Sequence, residues 1–233
     1  MDLFEYMSMQ RKKEESPLAV RMRPKNLDEV VGQQHIIGKD KLLYRAIKAD
    51  KISSLIFYGP PGTGKTTLAK VIANTTSADF VQMNATTSGK KDMEQAVSQA
   101  KDAFGMYGKK TILFIDEIHR FNKAQQDYLL PFVEDGTVIL IGATTENPYF
   151  EVNSALLSRS QIFHLEPLSQ KDICKLVKTA VEDNERGMGA YGAKVTEEAA
   201  QFIAQMAGGD ARRALNAVEL GILTTEPDEN GRI

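Results

Sequence analysis

The apolar run Ser54-Leu55-Ile56-Phe57-Tyr58 leads directly into Gly59-Pro60-Pro61-Gly62-Thr63-Gly64-Lys65-Thr66-Thr67, and a helix is expected to follow from Thr66 to Asn74. No other stretch restricts the fold so tightly. A strand that empties into a glycine-rich turn and then a helix aims backbone N–H groups and the positive end of the helix dipole at one point, where a polyphosphate fits. The glycines let the backbone wrap the anion with no Cβ in the way. In this pattern, G-x-x-x-x-G-K-[ST], Lys65 is a point charge for the β- and γ-phosphates and Thr66 offers a hydroxyl to Mg²⁺.

Fifty-one positions beyond Lys65 (116 − 65), Thr111-Ile112-Leu113-Phe114-Ile115 runs into Asp116-Glu117. A nearly continuous apolar run of this length marks a strand buried on both faces, as in a parallel sheet covered by helices. Carboxylates at its end are then placed for function. Asp116 is expected in the Mg²⁺ shell, directly or through water, and Glu117 is expected to polarise the water that attacks the γ-phosphate. Alone, such a pair is often only a solvated helix start; the upstream phosphate loop makes the catalytic reading the stronger one.

The rest of the chain divides by texture. Residues 1–16 are charged and irregular and are expected to form a flexible arm. Residues 17–167 alternate strands, near 54–58, 79–83, 111–115, 138–143 and 162–165, with helices, which is an α/β layer pattern. From Ser169 the period becomes helical. Ser169 and Asp172 form a capping signature before Ile173, Leu176, Val177, Ala180 and Val181; Thr196 opens a second helix with Phe202, Ile203 and Met206 inward; Asp210 caps a third with Ala214, Leu215, Val218 and Ile222 in register. A small helical domain over 168–225 is therefore expected, with 226–233 beginning a further region.

Composition sets limits on partners and compartment. The 233 residues are 42% hydrophobic and 26% charged, with one cysteine, Cys174, which cannot form an internal disulfide. No run approaches the ~18 apolar residues of a membrane span, and no basic segment with a long apolar core opens the chain, so a cytoplasmic protein is expected. A formal net charge of −2 gives no global attraction to nucleic acid, so any DNA contact must be local. The helix start at Asn84-Ala85-Thr86-Thr87-Ser88-Gly89-Lys90-Lys91 is the candidate patch. Three separated histidines, His35, His119 and His164, and a lone cysteine offer no credible zinc site. Asp116-Glu117-Ile118-His119 matches the signature of two-lobed helicases, but a helical tail supplies no second lobe, and His119 is expected merely to pack at a helix start.

Beyond the two acidic and glycine-rich elements, the chain resembles the AAA+ ATPases. The segment 23–33, which includes Val31 and Gly32, is similar to the one that clamp loaders fold around adenine. Ile141-Gly142-Ala143-Thr144-Thr145 resembles a sensor 1 strand end, Leu156-Leu157-Ser158-Arg159-Ser160 resembles the box that carries an arginine finger, with Ser160 where the box has cysteine, and Gly209-Asp210-Ala211-Arg212 resembles sensor 2. Within that class, Pro17-Leu18-Ala19-Val20-Arg21-Met22-Arg23-Pro24, the run from Asp116 to Asp127, and Gly142-Ala143-Thr144-Thr145-Glu146-Asn147-Pro148 resemble the replication-associated recombination protein A family, over residues 17 to about 225. The resemblance implies an AAA+ P-loop fold, a parallel sheet flanked by helices with a helical lid, and a DNA-stimulated ATPase that needs ATP and Mg²⁺. It also implies action at stalled forks and single-strand/duplex junctions, association with single-stranded-DNA-binding protein, and a tetramer formed through a C-terminal region absent here.

Three accessory residues follow from it. Arg159 is expected to act as a finger in a neighbour's site, against the alternative of a surface pair with Glu151 or Glu166. Arg212 sits in a first turn, where a cation opposes the dipole unless an anion is near. Thr145, with Asn147 as competitor, is the expected γ-phosphate sensor. Two functional classes remain open: an ATP-hydrolysing DNA remodeller or loader, and, as the alternative, a nucleotide-gated assembly scaffold or a clamp-loader-like or branch-migration subunit with weak intrinsic turnover.

Overall fold

The computed structural model describes residues 16–226. The expected arm at 1–16, apart from Ser16, and the acidic stretch beyond Glu226 lie outside the described residues. Two compact units result, one of residues 24–166 and one combining 16–23 with 167–226.

The larger unit is built on five parallel strands, β1 (Ser54–Tyr58), β2 (Asp79–Asn84), β3 (Thr111–Asp116), β4 (Val138–Thr144) and β5 (Ser160–His164), in the order β2-β3-β4-β1-β5. Strictly alternating side chains give each face its own core, as the two-residue period of a strand requires. Leu55, Phe57, Ile112, Phe114, Ile139, Ile141 and Ala143 meet the helices Leu42–Lys48 and Lys65–Thr75 on one face. Ile56, Leu113, Ile115, Val138 and Leu140 meet Met93, Ala96, Val97 and Leu129 on the other. Both faces of β1, β3 and β4 are thus covered, which is why those strands read as unbroken apolar runs.

The helical unit packs Gln170–Glu182, Glu197–Ala207 and Ala211–Thr224 around one core. Ser169 and Asp172 form the expected capping box, and Thr196 and Asp210 accept backbone N–H groups as N-caps. The inward face of the middle helix differs from expectation. Ala200, Ala204 and Ala207 are buried, whereas Phe202 and Met206 are 65% and 67% exposed. Small residues at i, i+4 and i+7 let the neighbouring helices approach closely, and the bulkier i, i+4 pair is turned outward. Met106 is also exposed, whereas Met83 and Met93 are buried.

The expected boundary at residue 17 also moves. Leu18 and Met22, four apart on the short helix Leu18–Arg21 and its cap, are buried in the helical core. Glu219 accepts from the Leu18 N–H at 3.0 Å and from Arg21 Nη1 at 3.2 Å, while Arg21 Nε donates to the Arg186 carbonyl at 3.0 Å. Residues 17–23 therefore belong to the helical unit rather than to the sheet.

Gly142, on the central strand β4, is packed closely against Ile56 of β1 and against Ile118. A Cβ there would stand 2.7 Å from Ile56 Cδ1 and 3.0 Å from Ile118 Cδ1. Gly142→Ala is expected to cost about 1–3 kcal/mol by overpacking, and Ile56→Val about 0.5–1.5 kcal/mol. Because the valine removes the methyl that the new Cβ meets, the double variant should lose less than the sum in equilibrium denaturation. Additive losses would show that the chain relieves the clash elsewhere.

Candidate nucleotide-binding site

The strand order brings the carboxyl ends of β1, β4 and β3 side by side, the edge of an open α/β sheet where ligands bind. The loop leaving β1 is rooted in both neighbours. Gly59 N–H donates to the Thr144 carbonyl at 3.2 Å, and Leu165 N–H donates to Tyr58 O at 2.8 Å. Gly59 has φ +145, and a Cβ there would stand 2.1 Å from the Leu165 carbonyl oxygen, so only glycine fits. Gly64, at φ +99, caps the Lys65–Thr75 helix and has nothing within 4 Å of where a Cβ would point. The loop thus leaves open space beside Gly64 at a helix start, next to the N–H groups that a helix leaves unbonded.

Loop side chains brace this shape. Thr63, 2% exposed, donates from Oγ1 to Pro60 O at 2.9 Å, and Lys65, 8% exposed, donates from Nζ to Gly59 O at 2.6 Å and to Pro60 O at 2.8 Å. Thr66 Oγ1 lies 3.4 Å from Asp116 Oδ2, so the hydroxyl and carboxylate assigned to a cation converge across the ends of β1 and β3. This donor set, all oxygen, suits Mg²⁺. Among the residues expected at this centre, Gly59, Pro60, Pro61, Gly62, Thr63, Gly64, Lys65, Thr66, Thr67, Asp116 and Glu117 are contiguous with the loop or with the end of β3.

Glu117 directly follows β3 in the left-handed region, φ 54, which is uncommon for a residue with a Cβ and costs of order 1–3 kcal/mol. One of its carboxylate oxygens, Oε2, is buried with no hydrogen bond. A buried, unbonded carboxylate oxygen costs free energy unless a ligand or water meets it. His119 Nδ1 stands 3.4 Å from that oxygen and 2.8 Å from Thr144 Oγ1, so His119 does more than pack at a helix start.

Accessory residues are placed as follows. Thr145 is exposed immediately beyond β4, whereas the Asn147 side chain accepts from Tyr149 N–H as an N-cap and is committed to that turn. Arg159 bonds to Ala155 O at 2.9 Å and to Ser158 Oγ at 3.0 Å and pairs with Glu134, instead of the Glu151 or Glu166 considered from sequence. It precedes β5, whose Ser160 lies opposite Ser54; Gly59 is a strand length of about 17 Å further along β1. Arg212 is exposed in the first turn of Ala211–Thr224, in the helical unit, with its N–H capped by Asp210 at 2.8 Å. Val31 and Gly32 are half-buried beside Gln33.

Gln33, absent from the expected site, holds this region together. At 7% exposure and φ 57, it donates from Nε2 to Thr63 O at 3.2 Å and to Glu166 O at 2.7 Å, and accepts from Glu166 N–H at 3.1 Å. It ties the segment before it to the phosphate loop and to the chain leaving β5. The expected DNA patch is less open than its composition implies. Gly89 N–H is taken by Asp92 Oδ2 at 2.7 Å, Asn84 Oδ1 accepts from Thr86, and Lys90 pairs with Glu94. A carboxylate at the first turn disfavours a phosphate there.

Comparison with known proteins agrees with this geometry. Residues 55–168 match the ATPase family associated with various cellular activities (AAA). The chain is 50% identical over 216 residues to replication-associated recombination protein A of Escherichia coli (strain K12), covering 93% of this chain and 48% of that protein. It is 46% identical over 217 residues to the protein of the same name from Bacillus subtilis (strain 168), covering 93% of this chain and 50% of that protein. The chain therefore spans about half the length of the curated relatives it matches. Among solved structures, it superposes on the Thermotoga maritima RuvB Holliday junction branch migration motor with a TM-score of 0.68 and 30% identity, over 85% of this chain and 64% of that one. No helix among the described residues is long and apolar enough to cross a membrane.

Replacing Gln33 by alanine is expected to strand the Glu166 N–H and two backbone carbonyls, at about 1–3 kcal/mol for a buried group left unsatisfied. Amide exchange at Glu166 should accelerate before global unfolding does. Unchanged exchange at Glu166 would mean that water replaces the side chain without loss.

Proposed function

Because the chain belongs to the AAA+ ATPases, and within them to the replication-associated recombination protein A family, we propose that it hydrolyses ATP as one subunit of an oligomer that maintains replication forks and supports recombination. The observation that carries this reading is the convergence of Lys65, Thr66, Asp116 and the unbonded carboxylate of Glu117 at one edge of the sheet. A chain that only bound nucleotide would have no use for a strained glutamate with an unbonded, buried oxygen.

Each residue has a definite task in this reading. Val31 and Gly32 border the base, held by Gln33. The loop N–H groups and Lys65 bind the β- and γ-phosphates. Thr66 and Asp116 hold Mg²⁺, which neutralises charge on the phosphate oxygens when bound. Glu117 orients a water molecule and accepts its proton, and Thr145 faces the γ-phosphate. Arg159, at the opposite end of β1 from the loop, reaches the site of a neighbouring subunit, and Arg212 keeps the sensor 2 role that the family resemblance implies.

DNA stimulation, a preference for forks or single-strand/duplex junctions, association with single-stranded-DNA-binding protein, tetramerisation and a cytoplasmic location complete the proposal; the recombination names of the relatives support them. The likeness to RuvB, described as a branch migration motor, favours DNA movement over a passive nucleotide-gated scaffold.

In the full-length, oligomeric protein, Lys65→Ala should weaken nucleotide binding, whereas Glu117→Gln should retain binding and lose turnover by at least ~10²-fold. Wild-type turnover in Glu117→Gln would remove the attacking water from its charge.

Arg159→Ala and Lys65→Ala should each be nearly inactive, and their mixture should recover turnover, because the lysine variant lends its arginine to the intact site of the other. A trans arginine is worth ~10³-fold or more in related NTPases. With subunit exchange verified, a mixture that shows only the sum of the separate rates would exclude the finger in trans and favour the scaffold.

A further inference from the structure

We propose that His119 is a positioning residue for Glu117, sharing its Nδ1 proton between the Glu117 carboxylate and the Thr144 hydroxyl and so linking the end of β4 to the water-orienting group. The inference rests on the reading of Glu117 as that group. Three observations support it. The His119 side chain is 8% exposed and Thr144 is fully buried, so each polar atom must find a partner inside the protein. Nδ1 lies 2.8 Å from Thr144 Oγ1 and 3.4 Å from Glu117 Oε2. Oε2 is buried with no hydrogen bond of its own.

These distances select a tautomer. If Thr144 donated its hydroxyl to Nδ1, the ring would turn a lone pair toward a buried carboxylate oxygen. Two acceptors would then face each other with no proton between them. If Nδ1 carries the proton, Thr144 Oγ1 accepts it together with the Glu146 N–H, which donates at 3.0 Å, filling both hydroxyl lone pairs and leaving unmet only a neutral O–H, a smaller cost than an unmet buried carboxylate oxygen. The same Nδ1–H then faces Oε2 at a distance slightly too long for a full bond. A small swing of the Glu117 carboxylate would transfer the proton's attention from the hydroxyl to the carboxylate.

The backbone makes that swing answerable to the nucleotide. Glu117 begins the 3₁₀ turn Ile118–Arg120, in which Ile118 is buried against Gly142 of β4 while His119 reaches back to Thr144 at the end of the same strand. Thr144 directly precedes Thr145, and its hydroxyl is held by the Glu146 N–H of the turn that carries Thr145. A displacement of that turn by a ligand therefore changes how tightly Thr144 holds the imidazole. It thereby changes how much of the Nδ1 proton is left for Glu117.

The tautomer can be read without turnover. With only His35, His119 and His164 in the chain, long-range ¹H–¹⁵N correlation spectra resolve each ring, and loss of one set in His119→Asn assigns it. The expected result is a proton on Nδ1 in the wild-type protein, retained in Thr144→Val and shifted toward Nε2 in Glu117→Ala. A ring protonated on Nε2 alone in the wild-type protein, or one indifferent to Glu117→Ala, would overturn the proposal.

Turnover of the full-length protein gives the second arm. His119→Ala should lower kcat by about 10-fold or more, less than the loss from Glu117→Gln, with the KM for ATP within about twofold. His119→Asn, which places an amide near the position of Nδ1, should restore part of kcat, whereas His119→Gln, which mimics Nε2, should not. Equal rescue by both, or wild-type kcat in His119→Ala, would leave His119 a space filler. Turnover lost in Glu117→Gln but kept in His119→Ala would sink this inference alone, whereas turnover kept in Glu117→Gln would sink the reading beneath it.

Discussion

The whole site hangs on the root of the loop after β1, where Gly59 is gripped from both sides. Its N–H is bonded to the last carbonyl of β4, and its α-carbon stands so close to the Leu165 carbonyl that no Cβ can be accommodated. The two strands that flank β1 thus fix the point at which the loop departs. From there the chain has only a few residues in which to turn back into the Lys65–Thr75 helix, and positive φ at Gly59, Gly62 and Gly64 allows it. Everything that binds an anion here is positioned by backbone contacts that precede any ligand.

That rigidity has polar consequences. Thr63, Lys65, Thr66 and Thr144 are all buried at the carboxyl edge of the sheet, where an unpaired group is costly. The loop answers by bonding to itself, through Thr63 to Pro60 and through Lys65 to Gly59 and Pro60. Two buried glutamines extend the same solution outward. Gln33 serves backbone groups at Thr63 and Glu166, and Gln126, 3% exposed, donates to the carbonyls of Phe121 and Glu151 and accepts from Asn153 N–H at 2.7 Å. Each anchors an irregular segment that regular ladders do not reach.

Strands β1, β3 and β4 were legible in the sequence because both of their faces are buried, so apolar runs such as 54–58 and 111–115 carry the assignment alone. The phosphate loop was legible because its chemistry requires fixed residue types at fixed spacing. The N-terminal boundary was not, since Leu18 and Met22 look alike whether they pack on a sheet or on helices; only Glu219, about two hundred positions away, decides it. The middle lid helix misled because Phe202 and Met206 are bulky and apolar yet face outward, while three alanines and Ile203 line its contact face. Gln33 and His119 were missed for a common reason. Their importance lies in which backbone or side-chain atom stands opposite, and neither periodicity nor motif spacing encodes that.

The bonds from Lys65 to its own loop also determine how nucleotide affinity should be understood. A phosphate that enters must take the ammonium from two carbonyls, so the lysine contributes the difference between a charge-assisted bond to phosphate and bonds it already makes. The loop loses a brace when the ligand gains one. Glu117 has no such bond to give up at Oε2, so a water molecule brought against it meets a carboxylate whose desolvation has already been suffered in folding. In the proposed reading, binding at this edge is therefore an exchange, whereas orientation of the water is a net gain, and that asymmetry separates the residues assigned to the nucleotide from the one assigned to the attacking water.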